Sequence, residues 1–265
     1  MFFHLSTLTL FLLIAGVLLG SMAMGFSMGR RSSRRSETLH EPFGIVQAAL
    51  VTLVALIIAF CLSMSVNRYE ARRVAAVNDA NTIGTAYLRA QTLKEPVRSL
   101  SLPLYREYAD LALALGQEVP GSAVQRRSIS QGSELQRRLW NLAGEALKAE
   151  PDDNASRLYV QSLNEMIDQQ ATRVNELENR VPEPVGYIAL LGAALATGLI
   201  SFYLALLSRG FVTPLLASGF FILLLFVSFD LDRPARGFIQ ISDAPLISLR
   251  ASMLLPPAAG TPVSP

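Results

Sequence analysis

The chain has 265 residues, is 51% hydrophobic and 17% charged, and carries a formal net charge of +2. So low a charge content falls short of the roughly one-quarter usual in soluble domains and points to a membrane class, while near-neutrality removes any basic field that would argue for nucleic acid. One cysteine, Cys61, and two histidines, His4 and His40, exclude an internal disulfide and a Cys/His metal framework, so no metal and no cofactor are expected.

Four apolar runs approach the about 20 residues that a helix needs to cross a bilayer. The first is Leu5 to Met28, which lacks a basic leader and is too long for the core of a signal peptide, so a retained anchor is expected. The cluster Arg30-Arg31-Ser32-Ser33-Arg34-Arg35 follows it, and the second run extends from Phe43 to Val66. The third begins after Val181-Pro182-Glu183-Pro184 and continues to Leu207, and the fourth covers Phe211 to Phe229. Only Ser208, Arg209 and Gly210 separate these last two, which predicts an antiparallel helical hairpin. Small residues at four-residue spacing (Gly16 and Gly20, Gly25 and Gly29, Gly192 and Ala196) let helix backbones approach closely, within one subunit or between subunits.

Residues 67–183 carry 15 basic and 16 acidic residues and read as helical throughout. Tyr69, Ala76, Ala80, Ile83 and Tyr87 line one face of a helix continuing out of the second span, ended by Lys94-Glu95-Pro96. Leu104, Tyr108, Leu111 and Leu115 mark a second helix, closed by Gly116 and the turn Val119-Pro120-Gly121-Ser122. Ser133 is the expected cap of a third, with Leu135, Leu139, Leu142 and Ala146 on its stripe. Pro151-Asp152-Asp153-Asn154 breaks the chain, and Val160, Leu163, Ile167, Val174, Leu177 and Val181 form a heptad-like seam that Gln170 interrupts. Stripes of this kind must bury one another, so a bundle follows. The pairs Arg126-Arg127 and Arg137-Arg138 read as a solvated face with local ion pairs, because neighbouring acids cancel any sustained field.

The expected architecture is therefore all-α: an integral membrane protein with four transmembrane helices and an extramembrane helical bundle between spans two and three. Its expected segments are 1–66 (spans one and two with the Arg-rich loop), 67–183 (the bundle), 184–230 (the hairpin of spans three and four) and 231–265 (an interfacial segment and Pro-rich tail). Four spans place both termini on one side. Short loops favour a cytoplasmic Arg30 cluster, whereas counting the flanks within about 15–20 residues of the helix ends mildly favours the reverse.

No Gly-x-Ser-x-Gly elbow, Gly-rich phosphate loop or His-Glu-x-x-His motif is present, so no enzyme is expected and no catalytic residue is assigned. On the second span Thr52, Leu56 and Phe60 share one face, with Ser63 and Asn67 continuing below. Bulky apolar residues so placed gate a pore by dewetting, or simply pack on neighbouring helices. The spans hold no charged side chain of the kind that marks a coupled transporter. Asp230-Leu231-Asp232-Arg233-Pro234 at the end of the fourth span offers two carboxylates, too few for the about 6–8 oxygen ligands of Ca²⁺; pairing of Asp230 or Asp232 with Arg233 or Arg236 is expected instead.

Where the second span leaves the bilayer the sequence reads Asn67-Arg68-Tyr69-Glu70-Ala71-Arg72-Arg73, then Asn78-Asp79-Ala80-Asn81. With Leu93-Lys94-Glu95-Pro96, Tyr105-Arg106-Glu107-Tyr108, Arg173 and Arg180, and Asp230 to Pro234 followed by Gly237, it resembles the bacterial bestrophin-like family over nearly the whole chain. It resembles bestrophins proper only in the second span and its extension. Tyr69 stands alone where those have tandem aromatic residues, and Asp79 stands where the bacterial family usually has glutamate. The resemblance implies a homo-oligomeric ion channel, pentameric by analogy, with the second span lining the pore and small inorganic ions passing. It further implies the bacterial inner (plasma) membrane, with a cytoplasmic bundle and cytoplasmic termini. The alternative from the residues alone is a membrane-anchored sensor or scaffold whose bundle binds a partner protein.

Overall fold

The computed structural model describes residues 5–32, 40–207 and 209–257. His4, Arg34, Arg35 and Ser208 lie outside the described residues, as does the side chain of His40. Eight helices account for the described elements, with no strand among them: α1 Thr7–Ser32, α2 His40–Ala90, α3 Val97–Gln117, α4 Ala123–Ala149, α5 Asn154–Glu178, α6 Glu183–Leu206, α7 Val212–Leu231 and α8 Ala244–Met253. Four of them are long and apolar enough to cross a membrane. The all-helical, multi-pass membrane architecture read from the sequence is the one observed.

Packing divides the chain into two units, Met1–Tyr69 with Arg180–Gln240 and Glu70–Asn179 with Ile241–Pro265. The first, the membrane unit, holds α1, the start of α2, α6 and α7. On α1 the buried positions Leu10, Ile14, Leu18, Met22, Gly25 and Gly29 recur every three or four residues and form one seam. Leu10, Ile14 and Leu18 join Val54, Ile58 and Cys61 of α2, Ala189, Ala193 and Ala196 of α6, and Phe221 and Leu225 of α7 in a single core. The glycines fall into two classes. A Cβ on Gly25 would overlap the Gly198 carbonyl, and one on Gly29 would overlap the Phe202 carbonyl, so these two set the closeness of α1 and α6. Gly16 and Gly20 meet nothing within 4 Å.

The second, polar unit packs the distal part of α2 with α3, α4, α5 and α8 around Ile83, Tyr87, Tyr105, Leu139, Leu163 and Met166. Helix α2 is one unbroken element of 51 residues, so the apolar second span and the amphipathic stretch after Asn67 share one helical register. Ala76, Ala80, Ile83 and Tyr87 are buried on that stretch.

Two details differ from the sequence reading. Helix α4 begins eleven residues earlier than expected: Ser122 is its cap, accepting from the Gln125 amide at 3.1 Å, and Ser133 lies mid-helix, its hydroxyl donating to the Ile129 carbonyl. The helix runs through Gly132, which faces the Gln170 side-chain amide and Leu111. On α5 the buried face is Tyr159, Leu163, Met166, Gln170, Arg173 and Leu177, while Val160, Ile167 and Val174 are half-buried. Gln170 does not interrupt the seam; it is part of it. Asp153 caps α5 by accepting from the Ala155 and Ser156 amides.

Candidate pore face and buried charge networks

Along α2 the residues Thr52, Leu56, Phe60, Ser63 and Asn67 are all exposed, Leu56 by 52% and Phe60 by 62%. At about 100° per residue this stripe lies roughly opposite the buried face of Val54, Ile58, Cys61 and Ser65. The second span is also the one its own chain covers least. Its most apolar stretch is 17% buried, against 22% for α1 and 39% for α7. Among the described residues the stripe is left largely uncovered.

At the end of α7 the chain turns sharply, and the acids of that turn serve backbone amides. Asp230 accepts from the Phe238 amide at 3.0 Å and the Ile239 amide at 2.9 Å, and Asp232 accepts from the Val181 amide at 3.1 Å. Arg233, 3% exposed, donates to the Leu5 carbonyl, and Asp230 supports its charge electrostatically. Gly237 is required by close approach: a Cβ there would stand 2.7 Å from the Asp230 carbonyl oxygen. Among the described residues no group of three or more His, Cys, Asp or Glu could hold a metal ion.

In the polar unit a second network is buried. Arg173 on α5 donates to Asp79 on α2 at 2.7 Å and to the Ala112 carbonyl of α3 at 2.9 Å, with side chains 3% and 1% exposed for Arg173 and Asp79. Arg72, buried as well, donates to the Glu176 and Asn179 carbonyls, satisfying orphan acceptors at the C-terminus of α5. Tyr108 donates to Gln170 at 2.9 Å, and Gln136 donates to both Tyr108 and Gln170. Tyr105 meets Tyr159 at 3.3 Å. Burial pushes the Tyr105 and Tyr108 phenols well above the usual tyrosine range, with Tyr159 adding to the effect on Tyr105 and the Asp79 charge to that on Tyr108.

The residues singled out in the sequence therefore scatter over three places. Arg72, Asp79, Tyr105, Tyr108 and Arg173 are buried in the polar unit, while Asp230, Asp232, Arg233 and Gly237 belong to the α7 turn; both groups are structural in their contacts. Arg68, Tyr69 and Arg180 are half-buried, and Asn78 and Asn81 are exposed. Glu70 pairs with Arg73 on the surface at 2.7 Å. Gln136 and Tyr159 were missed, and Gln170 was read as an interruption, because a polar residue on an apolar stripe looks like one until its partner helix is known. Of the arginine pairs, Arg137 bridges to Glu134 at 2.6 Å and Arg126 donates to the Gly121 carbonyl.

Fold and geometry together define a multi-pass helical membrane protein whose second span extends as a single helix into a polar helical unit. A family model described as the Bestrophin-like domain matches residues 11–246, so the chain belongs to the Bestrophin-like family. Among solved structures it is similar to a bacterial bestrophin homologue from Klebsiella pneumoniae. A single-residue variant of that protein is 17% identical, with 91% of this chain and 97% of that chain covered and a TM-score of 0.61. A second structure of the homologue gives 17% identity, coverage of 90% and 96%, and a TM-score of 0.61. A single-residue variant of a membrane protein is 17% identical, with 91% of this chain and 97% of that chain covered and a TM-score of 0.63. At this identity the likeness establishes a shared fold. No curated protein matches the sequence significantly.

Proposed function

We propose that the chain is the subunit of a homo-oligomeric ion channel in which α2 lines the pore. The observation that carries this reading is the uncovered stripe Thr52, Leu56, Phe60, Ser63 and Asn67 on the span least buried by its own chain. The stripe combines the polar Thr52, Ser63 and Asn67 with the bulky Leu56 and Phe60, the combination a pore with polar rings and an apolar constriction uses. Membership of the Bestrophin-like family supports the reading, and so do the long α2 and the fold shared with a bestrophin homologue. In this proposal five copies surround the axis by analogy with bestrophins, Leu56 and Phe60 form the narrow part, small inorganic ions pass, and no catalytic role is assigned. The bundle and both termini are proposed to be cytoplasmic, in a bacterial inner membrane.

The purified chain in planar bilayers is expected to show discrete conductance steps, enlarged by Phe60→Ala and, more weakly, by Leu56→Ala. A monomer in mild detergent by light scattering, together with silent bilayers, would end the channel reading. The sensor or scaffold reading rests on a different feature, the exposed Leu88, Leu100, Val124 and Trp140 of the polar unit. It is favoured only if a partner protein binds that unit stoichiometrically while the bilayers stay silent.

A further inference from the structure

Beyond Asn67, helix α2 continues into the polar unit. Among the described residues from Val74 to Ala90, the exposed positions are Val74, Asn78, Asn81, Thr85 and Leu88. Their spacing alternates four and three residues, so they form one line down the helix. The positions between them are buried or half-buried, with Ala76, Asp79, Ala80, Ile83 and Tyr87 inside the unit. A helix so enclosed shows its surroundings a single narrow edge. Glu70, exposed and four residues before Val74, carries the line back towards Asn67.

That edge differs in charge from other exposed surface of the same unit. The exposed side of α4 carries Arg126, Arg127, Glu134, Arg137 and Arg138, as a solvated helix face usually does. On the edge of α2 the five positions from Val74 to Leu88 are uncharged, and Asn78, Asn81 and Thr85 are neutral and polar. The other charged side chains of this stretch are engaged elsewhere or point away. Arg72 donates to the Glu176 and Asn179 carbonyls, Asp79 pairs with Arg173, and Arg89 donates to the Leu158 carbonyl. Arg68, two residues before Glu70, stands about 160° round the helix from it. Among the described residues Glu70 is therefore the one formal charge on the line.

Arg73 reaches Glu70 at 2.7 Å. As the residue before Val74, it projects about 100° to the side of the line. Its hydrogen bonds hold the Glu70 carboxyl below the usual carboxylate range, so that group is ionised at neutral pH. The two charges do not cancel for an ion moving along the line, because the carboxylate lies on it and the guanidinium beside it, and attraction falls with distance.

We infer that Glu70 sets the ionic preference of the pore: one carboxylate per subunit forms a ring that favours cations, and Arg73 at its flank weakens that preference. Asn78, Asn81 and Thr85 supply neutral, wetted wall beyond the ring. The inference rests on the reading of α2 as the pore helix and adds the charge class that the pore prefers.

The test places the full chain in planar bilayers under a potassium chloride gradient, where the reversal potential gives the ratio of potassium to chloride permeability. The wild type is expected to prefer potassium. Glu70→Gln should lower the ratio about fivefold, the factor that one unit charge met at about 4 Å in water is worth. Arg73→Gln should raise it by a smaller factor. Asn81→Cys, reacted with a cationic, membrane-impermeant thiol reagent, should lower it with Glu70 intact; Cys61 is buried and does not compete. Glu165→Gln removes an exposed acid of α5 and should leave the ratio unchanged. A conducting wild type that prefers chloride would overturn the inference. So would a ratio that none of the Glu70, Arg73 and Asn81 changes moves while Phe60→Ala still enlarges the steps, a result that leaves the pore reading standing. Silent wild-type bilayers would end both.

Discussion

Outside the α7 turn, where Asp232 and Arg233 reach Val181 and Leu5, the two units bury most of their polar side chains in different ways. In the membrane unit the buried hydroxyls turn inward on their own helix: Ser65 donates to the Cys61 carbonyl, Thr197 to Ala193, Ser201 to Thr197, Ser218 to Pro214 and Ser228 to Leu224, each four residues back. Such bonds satisfy the group without choosing a neighbour, so helix pairing there is decided by shape, above all at Gly25 and Gly29. In the polar unit the buried groups reach across: α5 to α2 and α3 through Arg173, α2 to α5 through Arg72, α3 to α5 through Tyr108. Water competes for every polar group in the unfolded state of that unit, so a satisfied network specifies partners there. In lipid, small residues and close approach do the same work.

The largest effect should come from breaking the Arg173–Asp79 pair. Arg173→Ala leaves a buried carboxylate uncompensated and is expected to cost about 3–5 kcal/mol, read by chemical unfolding with Trp140, the only tryptophan, as the fluorophore of the polar unit. The double change Asp79→Leu with Arg173→Met should recover much of that loss. A single-variant loss below about 1 kcal/mol would mean the network does not hold the unit, since exposed pairs are worth that little.

Next comes the glycine contact. Gly25→Ala forces α1 and α6 apart and is expected to cost about 1–3 kcal/mol, whereas Gly16→Ala, which meets no neighbouring atom, should stay within about ±0.5 kcal/mol. Thermal unfolding in detergent compares the two, and equal losses would show that shape does not decide pairing in the membrane unit. A smaller difference separates two serines of α4. Ser122→Ala removes the cap and should cost about 1 kcal/mol, while Ser133→Ala should change stability by less than about 0.5 kcal/mol. A reversal would move the helix start back to Ser133.

The smallest effect near neutrality is the titration of Tyr105 and Tyr108. Their phenols sit higher when folded than the about 10 of an unfolded tyrosine. The stability tied to them is therefore complete below pH ~10 and is lost as pH rises above it. Near-ultraviolet titration should show both remaining protonated until the polar unit unfolds. Ionisation in step with exposed tyrosines, in a still-folded chain, would contradict their burial.

Much of this was legible in the residues. The spans and their breakers follow from apolar run length, and the continuity of α2 follows from Tyr69, Ala76, Ala80, Ile83 and Tyr87 keeping the helical period past Asn67. The motif residues carried the family, and Pro151-Asp152-Asp153-Asn154 marked the break before α5. The start of α4 was not legible, because Ser122 and Ser133 are equally good caps and only the space beside Gln170 shows that Gly132 is tolerated inside the helix. The α5 register was not legible either. Val160, Ile167 and Val174 outrank Gln170 and Arg173 on any hydrophobicity scale, yet it is Gln170 and Arg173 that are buried.

By itself, then, the sequence determined that this is a four-span helical membrane protein of the Bestrophin-like family, because length, apolarity and local breakers are properties of contiguous residues. Only the tertiary structure decided which polar residues are buried, which glycines touch a neighbouring backbone, and that the α2 stripe from Thr52 to Asn67 is left uncovered by its own chain. Those are properties of pairs of helices, and burying a charge becomes favourable only once the partner that satisfies it is in place.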